Sequence, residues 1–255
     1  MQKSYCFGLV LLLFLSGCAT APPYNPFSVA KEEVYATVGV IGLVPFYSQI
    51  NTGDLDAKLA AMEEEATSKL ETAGFQVIPS SQYKKIYDEA KEAIGPMYDP
   101  DTGKLDKDKR KLLKEQTLKE YLRQHGEVDA FMYGSIDFVK ANWQANTASW
   151  HGASEPVSGK EASLMGASLS IYGASGTIPA LSFSTYIERT DKTRLYSLYG
   201  GVQLAQWLQV GGKFVDIPKN LVLSDKTKIN AGIARSLNAL ISKGAVAGGK
   251  VYEIQ

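Results

Sequence analysis

The chain has 255 residues, with 27 Lys and Arg against 27 Asp and Glu, and 45% of it is apolar or aromatic. That length and apolar share are enough to bury a real core in one large domain. The balanced charge gives no electrostatic footprint for nucleic acid, so no nucleic-acid partner is expected.

Residues 1–17 read as a signal peptide. Lys3 supplies a positive start, and Cys6 to Phe14 forms an apolar stretch too short to span a bilayer as a helix. The stretch ends in Leu15-Ser16-Gly17-Cys18, which resembles the lipobox of bacterial lipoproteins. The resemblance implies diacylglyceryl transfer to the Cys18 sulfur, cleavage before Cys18, and acylation of the new amine. Each buried methylene contributes about 0.8 kcal/mol, so three long acyl chains would hold the protein on a membrane. Ala19 follows the cysteine, where an inner-membrane retention signal would place aspartate. The expected location is therefore the outer membrane, lipid-anchored, on its periplasmic face. Removal of the leader leaves 26 basic against 27 acidic residues, and Cys18 as the one cysteine. No disulfide, cysteine metal site or thiol mechanism is then expected.

Residues 18–33 read as the lipidated N-terminus and a tether. Ala21-Pro22-Pro23-Tyr24-Asn25-Pro26 favours an extended path, giving a reach of about 45–50 Å at roughly 3.1 Å per residue. Residues 34–243 read as a single α/β domain. Thr37 to Phe46 is an apolar, β-branched run and reads as a buried strand. Asn51 to Asp54 supplies a turn and N-cap. Leu55, Leu59, Met62, Ala66, Leu70 and Ala73 then recur at helical spacing, with Gly74 as the stop. Phe75 to Pro79 is a second strand, and Ser80 or Ser81 caps a helix carrying Tyr83, Ile86, Tyr87, Ala90 and Ile94. Gly95 to Lys111 interrupts the alternation with a loop and a charged run.

A third helix is expected over about 108–125, and a third strand over Val128 to Val139. Residues 141–165 read as a loop insertion. Ala167 to Tyr172 and Pro179 to Glu188 read as antiparallel strands, whereas Val202 to Val210 fits strand and helix alike. Ser224 or Asp225 caps a last helix bearing Ile229, Ile233, Leu237, Leu240 and Ile241. Residues 244–255 read as a flexible tail. The expected fold is a mixed sheet with N-terminal βαβα units, added antiparallel strands, and helices packed on the sheet.

This layout resembles the periplasmic lipoprotein superfamily around the curli-secretion lipoprotein (CsgG-like), which includes the penicillin-binding-protein activator LpoB and the TolB N-terminal domain. The resemblance is carried by Val44-Pro45-Phe46, Gly74-Phe75-Gln76-Val77-Ile78 and Val128 to Ile136. Further pieces are Tyr98 to Lys104, Gly200-Gly201-Val202-Gln203-Leu204 and Phe214 to Pro218. It implies a fold and an envelope role, without a catalytic signature. Two departures matter. Residues 141–165 offer no apolar face long enough for a membrane-spanning hairpin, so a pore is not expected. The tether is also short for reaching across the periplasm.

Several motifs invite chemistry. Gly244 to Lys250 matches G-x4-G-K, but Val251 follows the lysine and a helix precedes the motif, so a flexible tail is the reading. Asp99-Pro100-Asp101-Thr102-Gly103 lacks the later ligands of a calcium loop and reads as a rigid turn. His125 falls at a helix end. His151 lies in a loop beside Trp150, with no nucleophile elbow or paired acid readable near it. Glu63-Glu64-Glu65 and Lys107 to Lys114 read as solvated faces. Trp143, Trp150, Tyr186, Tyr196, Tyr199 and Trp207 read as core packing, with interface anchoring as the alternative. The expectation is a non-enzymatic binding or assembly protein. It would carry a lipid at Cys18, use no cofactor or metal, and dock on an envelope partner or on copies of itself. The alternative is an envelope hydrolase or small-molecule binder using loops 95–110 and 141–165.

Overall fold

The structure is a computed structural model and describes residues 24–50, 53–158, 175–209 and 213–242. Cys18, the start of the tether, the 167–172 segment and the tail from residue 244 lie outside the described residues. Within them the fold is α/β, a mixed sheet with helices packed on it. Helices α1 (Lys31–Thr37), α2 (Leu55–Thr72), α3 (Ser80–Ile94), α4 (Lys107–Gln124) and α5 (Lys226–Ile241) accompany ten strands. The short strands are β1 (Val40–Leu43), β2 (Tyr47–Ser48), β3 (Gln76–Ile78), β5 (Thr147–Trp150), β6 (Ala153–Pro156), β9 (Gln206–Leu208) and β10 (Phe214–Asp216). The long ones are β4 (Ala130–Gln144), β7 (Ser175–Arg189) and β8 (Arg194–Leu204).

Strands β4 and β7 pair antiparallel along their whole length, from Ala130↔Arg189 to Gln144↔Ser175. On the other side of β4 run β1 and β2, both parallel to it, then the antiparallel hairpin β5–β6. Strand β3 lies parallel outside β1, and β8 antiparallel outside β7. Because side chains alternate along a strand, each half of the ribbon presents two faces. On one face Met132, Ile136, Phe183 and Ile187 pack with Met62, Ala66 and Leu70 of α2 and with Ile233, Leu237 and Leu240 of α5. On the other, Val128 and Phe131 pack with Tyr83 and Ile86 of α3 and Tyr121 of α4.

Beyond this three-layer half, the sheet curls into a β lobe. Gly201 N–H donates to His151 O (2.9 Å), and Leu208 N–H to Val157 O (2.6 Å), bringing the β5–β6 hairpin back against the β8–β9 end. Ala141, Ala148, Trp150, Ala153, Ile178, Ala180 and Leu204 fill its interior. Small inward residues leave space for one indole, whose N–H donates to Leu181 O (3.1 Å).

The structure changes several expected boundaries. Residues 24–33 are not a free tether. Ser28 N–H donates to Leu195 O and Ser197 N–H to Pro26 O, and the Phe27 ring meets Tyr196 edge-on at 5.2 Å. α1 begins at Lys31, so Thr37 ends a helix instead of opening a strand. Residues 141–158 are ordered strand and hairpin, not loop. Of Val202 to Val210, Val202 to Leu204 and Gln206 to Leu208 are strand, and Val210 lies outside the described residues. Asp225 caps the last helix as expected, accepting from Thr227 and Lys228 N–H. Ser80 opens α3 without a capping bond and gives its hydroxyl to Glu63.

Glu63 is thereby corrected as well. Its other oxygen accepts from Phe46 N–H (2.7 Å), so one carboxylate ties α2 to the chain after β1 and to the start of α3. Glu63→Ala is expected to lower the unfolding free energy by about 2 kcal/mol, because it strands a backbone donor. Glu63→Gln should lower it less, both read from urea midpoints. At Gly200 an added Cβ would lie 1.9 Å from Gly232 O, which is backbone and cannot move aside. Gly200→Ala is expected to cost more than about 3 kcal/mol through overpacking, measured by thermal or urea unfolding.

Candidate functional site

Two places gather chemistry-bearing side chains, one in each half of the molecule. The first is the tip of the β5–β6 hairpin. His151 and Gly152 form its two-residue turn with φ of 38° and 74°. Positive φ at both positions is the type I′ pattern that matches strand twist, and Asn-Gly usually supplies it. Histidine there points its ring inward. Nδ1 lies 2.8 Å from Ser182 Oγ, and the ring stacks on Tyr199 at 4.9 Å. Burial alone lowers the His151 pKa from its ordinary value.

Ser182, 31 residues away, carries no signal in the sequence, because only the β7 register places it under the hairpin. This pairing looks like a base beside a hydroxyl, but Ser182 is wholly buried, with no exposed surface. Asp137 stands directly opposite Ser182 on β4, yet its carboxylate accepts from Ser135 Oγ (3.0 Å). A nucleophile must reach its substrate, and this hydroxyl instead pins the hairpin to the sheet. Four residues further along β7, Tyr186 stacks on Tyr133 at 4.6 Å, and the Arg194 guanidinium lies 4.0 Å from the Tyr186 ring centroid. Trp150 and Tyr196 are core residues, as expected, while Tyr199 remains 39% exposed.

The second place is the α3–α4 connector, within the 95–110 loop flagged from sequence. Gly95 ends α3 with φ +83°, turning the chain outward. Asp99 Oδ1 then accepts from Asp101 N–H, Thr102 N–H and Thr102 Oγ1. Those bonds, led by the Thr102 backbone, hold its carboxyl below the usual range. The carboxylate is therefore occupied in shaping the turn, as expected. Among the described residues no group of three or more His, Cys, Asp or Glu side chains is placed to hold a metal.

The Tyr98↔Leu105 bridge closes the loop, and Asp106 N–H to Met97 O and Lys109 Nζ to Pro96 O fix it to α4. Between loop and helices lies an open cavity of about 780 Å³. Met97, Leu105 and Leu113 give it an apolar floor, Asp88, Lys91, Glu92 and Arg110 a balanced charged rim, and Tyr87 and Tyr98 two partly exposed rings. The helical spacing puts Tyr87 on the apolar stripe of α3. The structure buries Tyr83 and Ile86 of that stripe and leaves Tyr87 37% exposed at the mouth instead.

His125 belongs to neither place. It is the C-cap residue of α4, with its ring 4.8 Å from Tyr121 and Nδ1 3.6 Å from Glu127. Tyr121 Oη and His125 Nε2 are buried without a hydrogen-bond partner, and desolvation, first among its causes, pushes the Tyr121 pKa up to about 12. No family model matches the chain, and no curated protein or solved structure matches it.

The sign of the His151 effect follows from its depressed pKa. As pH falls below the unfolded value of about 6.5, the unfolded chain takes the proton first, so stability is lost with acid. His151→Asn keeps the type I′ turn and removes the titration. The melting temperature of the wild type should therefore fall more steeply than that of the variant between pH 7 and pH 5. Parallel profiles would show that the ring is not held neutral.

Proposed function

We propose that the chain is a lipid-anchored cell-envelope lipoprotein of the outer membrane, facing the periplasm. It acts without catalysis, docking on an envelope partner or on a second copy of itself. The observation that carries the docking reading is the α3–α4 connector. Exposed Tyr87 and Tyr98 flank an apolar floor on a loop braced by its own hydrogen bonds. Rigid, amphipathic tyrosines around a concave apolar patch are the residues that interfaces use as anchors. The polar clusters support the same reading, because the His151–Ser182 pair is spent on fixing a hairpin. The lipobox resemblance supports the anchor, and the family resemblance supports an envelope role.

A second reading is favoured by the size of the same cavity. About 780 Å³ lies within the range of small-molecule sites. A small ligand would bind the isolated protein and saturate, whereas a docking surface would show itself through a protein in the complex.

Cys18→Ala is expected to release the protein from membranes or leave the leader uncut. Retention with normal processing would refute lipidation. With the anchor intact, Tyr87→Ala combined with Tyr98→Ala should cut recovery of the partner, or of the self-associated form, at least tenfold from detergent-solubilised outer membranes. The variant should melt as the wild type does. A lone monomer under all conditions, in wild type and variant alike, would overturn the docking reading.

A further inference from the structure

The docked N-terminal segment fixes which side of the domain can meet a membrane. Residues 24–29 run antiparallel along the outer edge of β8, with Phe27 opposite Tyr196. The Tyr24 hydroxyl donates to Ser197 O (3.1 Å), and Lys31 Nζ donates to Ser242 O (2.9 Å) from beside the Phe27 ring. These contacts leave five residues, Ala19 to Pro23, between Cys18 and Tyr24, the first residue held on the folded body. Six extended steps span at most about 20 Å. A domain of roughly 200 residues has a radius of gyration of about 16 Å and is about 40 Å across. A leash of about 20 Å from the β8 edge cannot let such a body turn over.

We propose that the edge made by the 24–29 strap and the outer side of β8 rests against the lipid headgroups of the anchoring membrane. The α3–α4 groove then opens away from it. This rests on the lipid-anchor reading. Tyr24 is 66% exposed and suits the interface, where a tyrosine ring meets both lipid and water. Tyr199, 39% exposed, lies two residues beyond Ser197, in the direction in which the strap leads back to Cys18. Arg194 pairs with Glu188, Arg189 pairs with Glu33, and Lys31 gives its ammonium to the Ser242 carbonyl, so the proposal assigns the orientation to the leash and not to anionic lipid. The helices that line the groove, α3 and α4, pack on the sheet face over β3, β1 and β4, away from β8. In the order β3, β1, β4, β7, β8, four strand spacings of about 4.8 Å separate the two edges.

The test attaches the lipid chemically, so it stands whether or not cells lipidate Cys18. In residues 18–255 the one thiol is Cys18, which couples to a maleimide-bearing phospholipid in vesicles of phosphatidylethanolamine and phosphatidylglycerol, or of phosphatidylcholine. A benzophenone-bearing phenylalanine replaces Tyr24, Tyr199, Tyr98 or Leu112, an exposed residue of α4, in turn, and lipid adducts are counted by mass spectrometry after illumination. Adducts at positions 24 and 199 should exceed those at 98 and 112 at least tenfold in both lipid mixtures. Equal labelling at 199 and 98 would overturn the proposal, since it would mean a detached strap and a tumbling domain. A pattern seen only with phosphatidylglycerol would overturn it too, by making charge the cause.

Discussion

The rest of the structure depends on the pairing of β4 with β7 along fifteen residues without a break. A ribbon that long cannot stay flat, because adjacent strands rotate by about 20–25° relative to each other. Its two halves therefore meet different surroundings. From Ala130 to Ile136 the ribbon is straight enough to carry helices on both faces, and nearly every residue is buried. From Asp137 onward burial alternates residue by residue, the outer face meets solvent at Phe138 and Lys140, and the inner face closes on the β5–β6 hairpin. One pairing thus yields a three-layer half and a closed lobe without a linker between them.

The helices were legible because their apolar stripes hold a period near 3.6 over fifteen or more residues, as in Leu59, Met62, Ala66 and Leu70. The mixed sheet was legible for the same reason, since alternating strands and helices leave few other solutions. α1 was not, because seven residues with one buried apolar position, Val34, carry almost no periodicity. The lobe was hidden by its own packing. Its inward residues include Ala141, Ala148, Ala153 and Ala180, and alanine gives little contrast with the Ser, Thr and Asn that alternate with it. Strands filled by one tryptophan look like a polar loop until the tryptophan is placed. At the candidate site the sequence marked the 95–110 loop and both histidines. It could not supply Ser182 or the outward turn of Tyr87, which depend on register and on where α3 ends.

Several buried and half-buried polar groups share one use. Asp129 Oδ2 accepts from Gly39 and Val40 N–H, tying the entry of β1 to the entry of β4. Gln203 Oε1 accepts from Leu223 N–H, Arg235 donates to Gly201 O, and Tyr196 Oη donates to Ser236 O. Each satisfies backbone where strands begin, end or pass a helix, positions at which the ladder leaves a group unpaired. Polar side chains placed for backbone accounting keep short, fixed bonds. They are poorly suited to exchange partners during a reaction, which agrees with a docking role.

The glycine pair at 200 and 201 shows how the two halves are held together. Consecutive residues of a strand face opposite sides. Gly200 lets the backbone of α5 approach one face, where a Cβ would lie 1.9 Å from Gly232 O. Gly201 lets the hairpin approach the other, where a Cβ would lie 2.5 Å from Ala153 Cβ and 2.7 Å from Trp150 O. Helix and lobe therefore press on β8 from both sides at adjacent residues. Arg235, reaching from α5 to Gly201 O, bonds the helix to the residue whose N–H already serves His151 O. A shift of the hairpin is thereby felt by α5, and α5 is the helix whose Leu240 and Ser242 carbonyls hold Tyr35 and Lys31 of α1. The same helix thus links the lobe to the docked N-terminal segment through contacts that leave little free volume. The body would then answer a pull on its N-terminus as one unit instead of yielding at a joint.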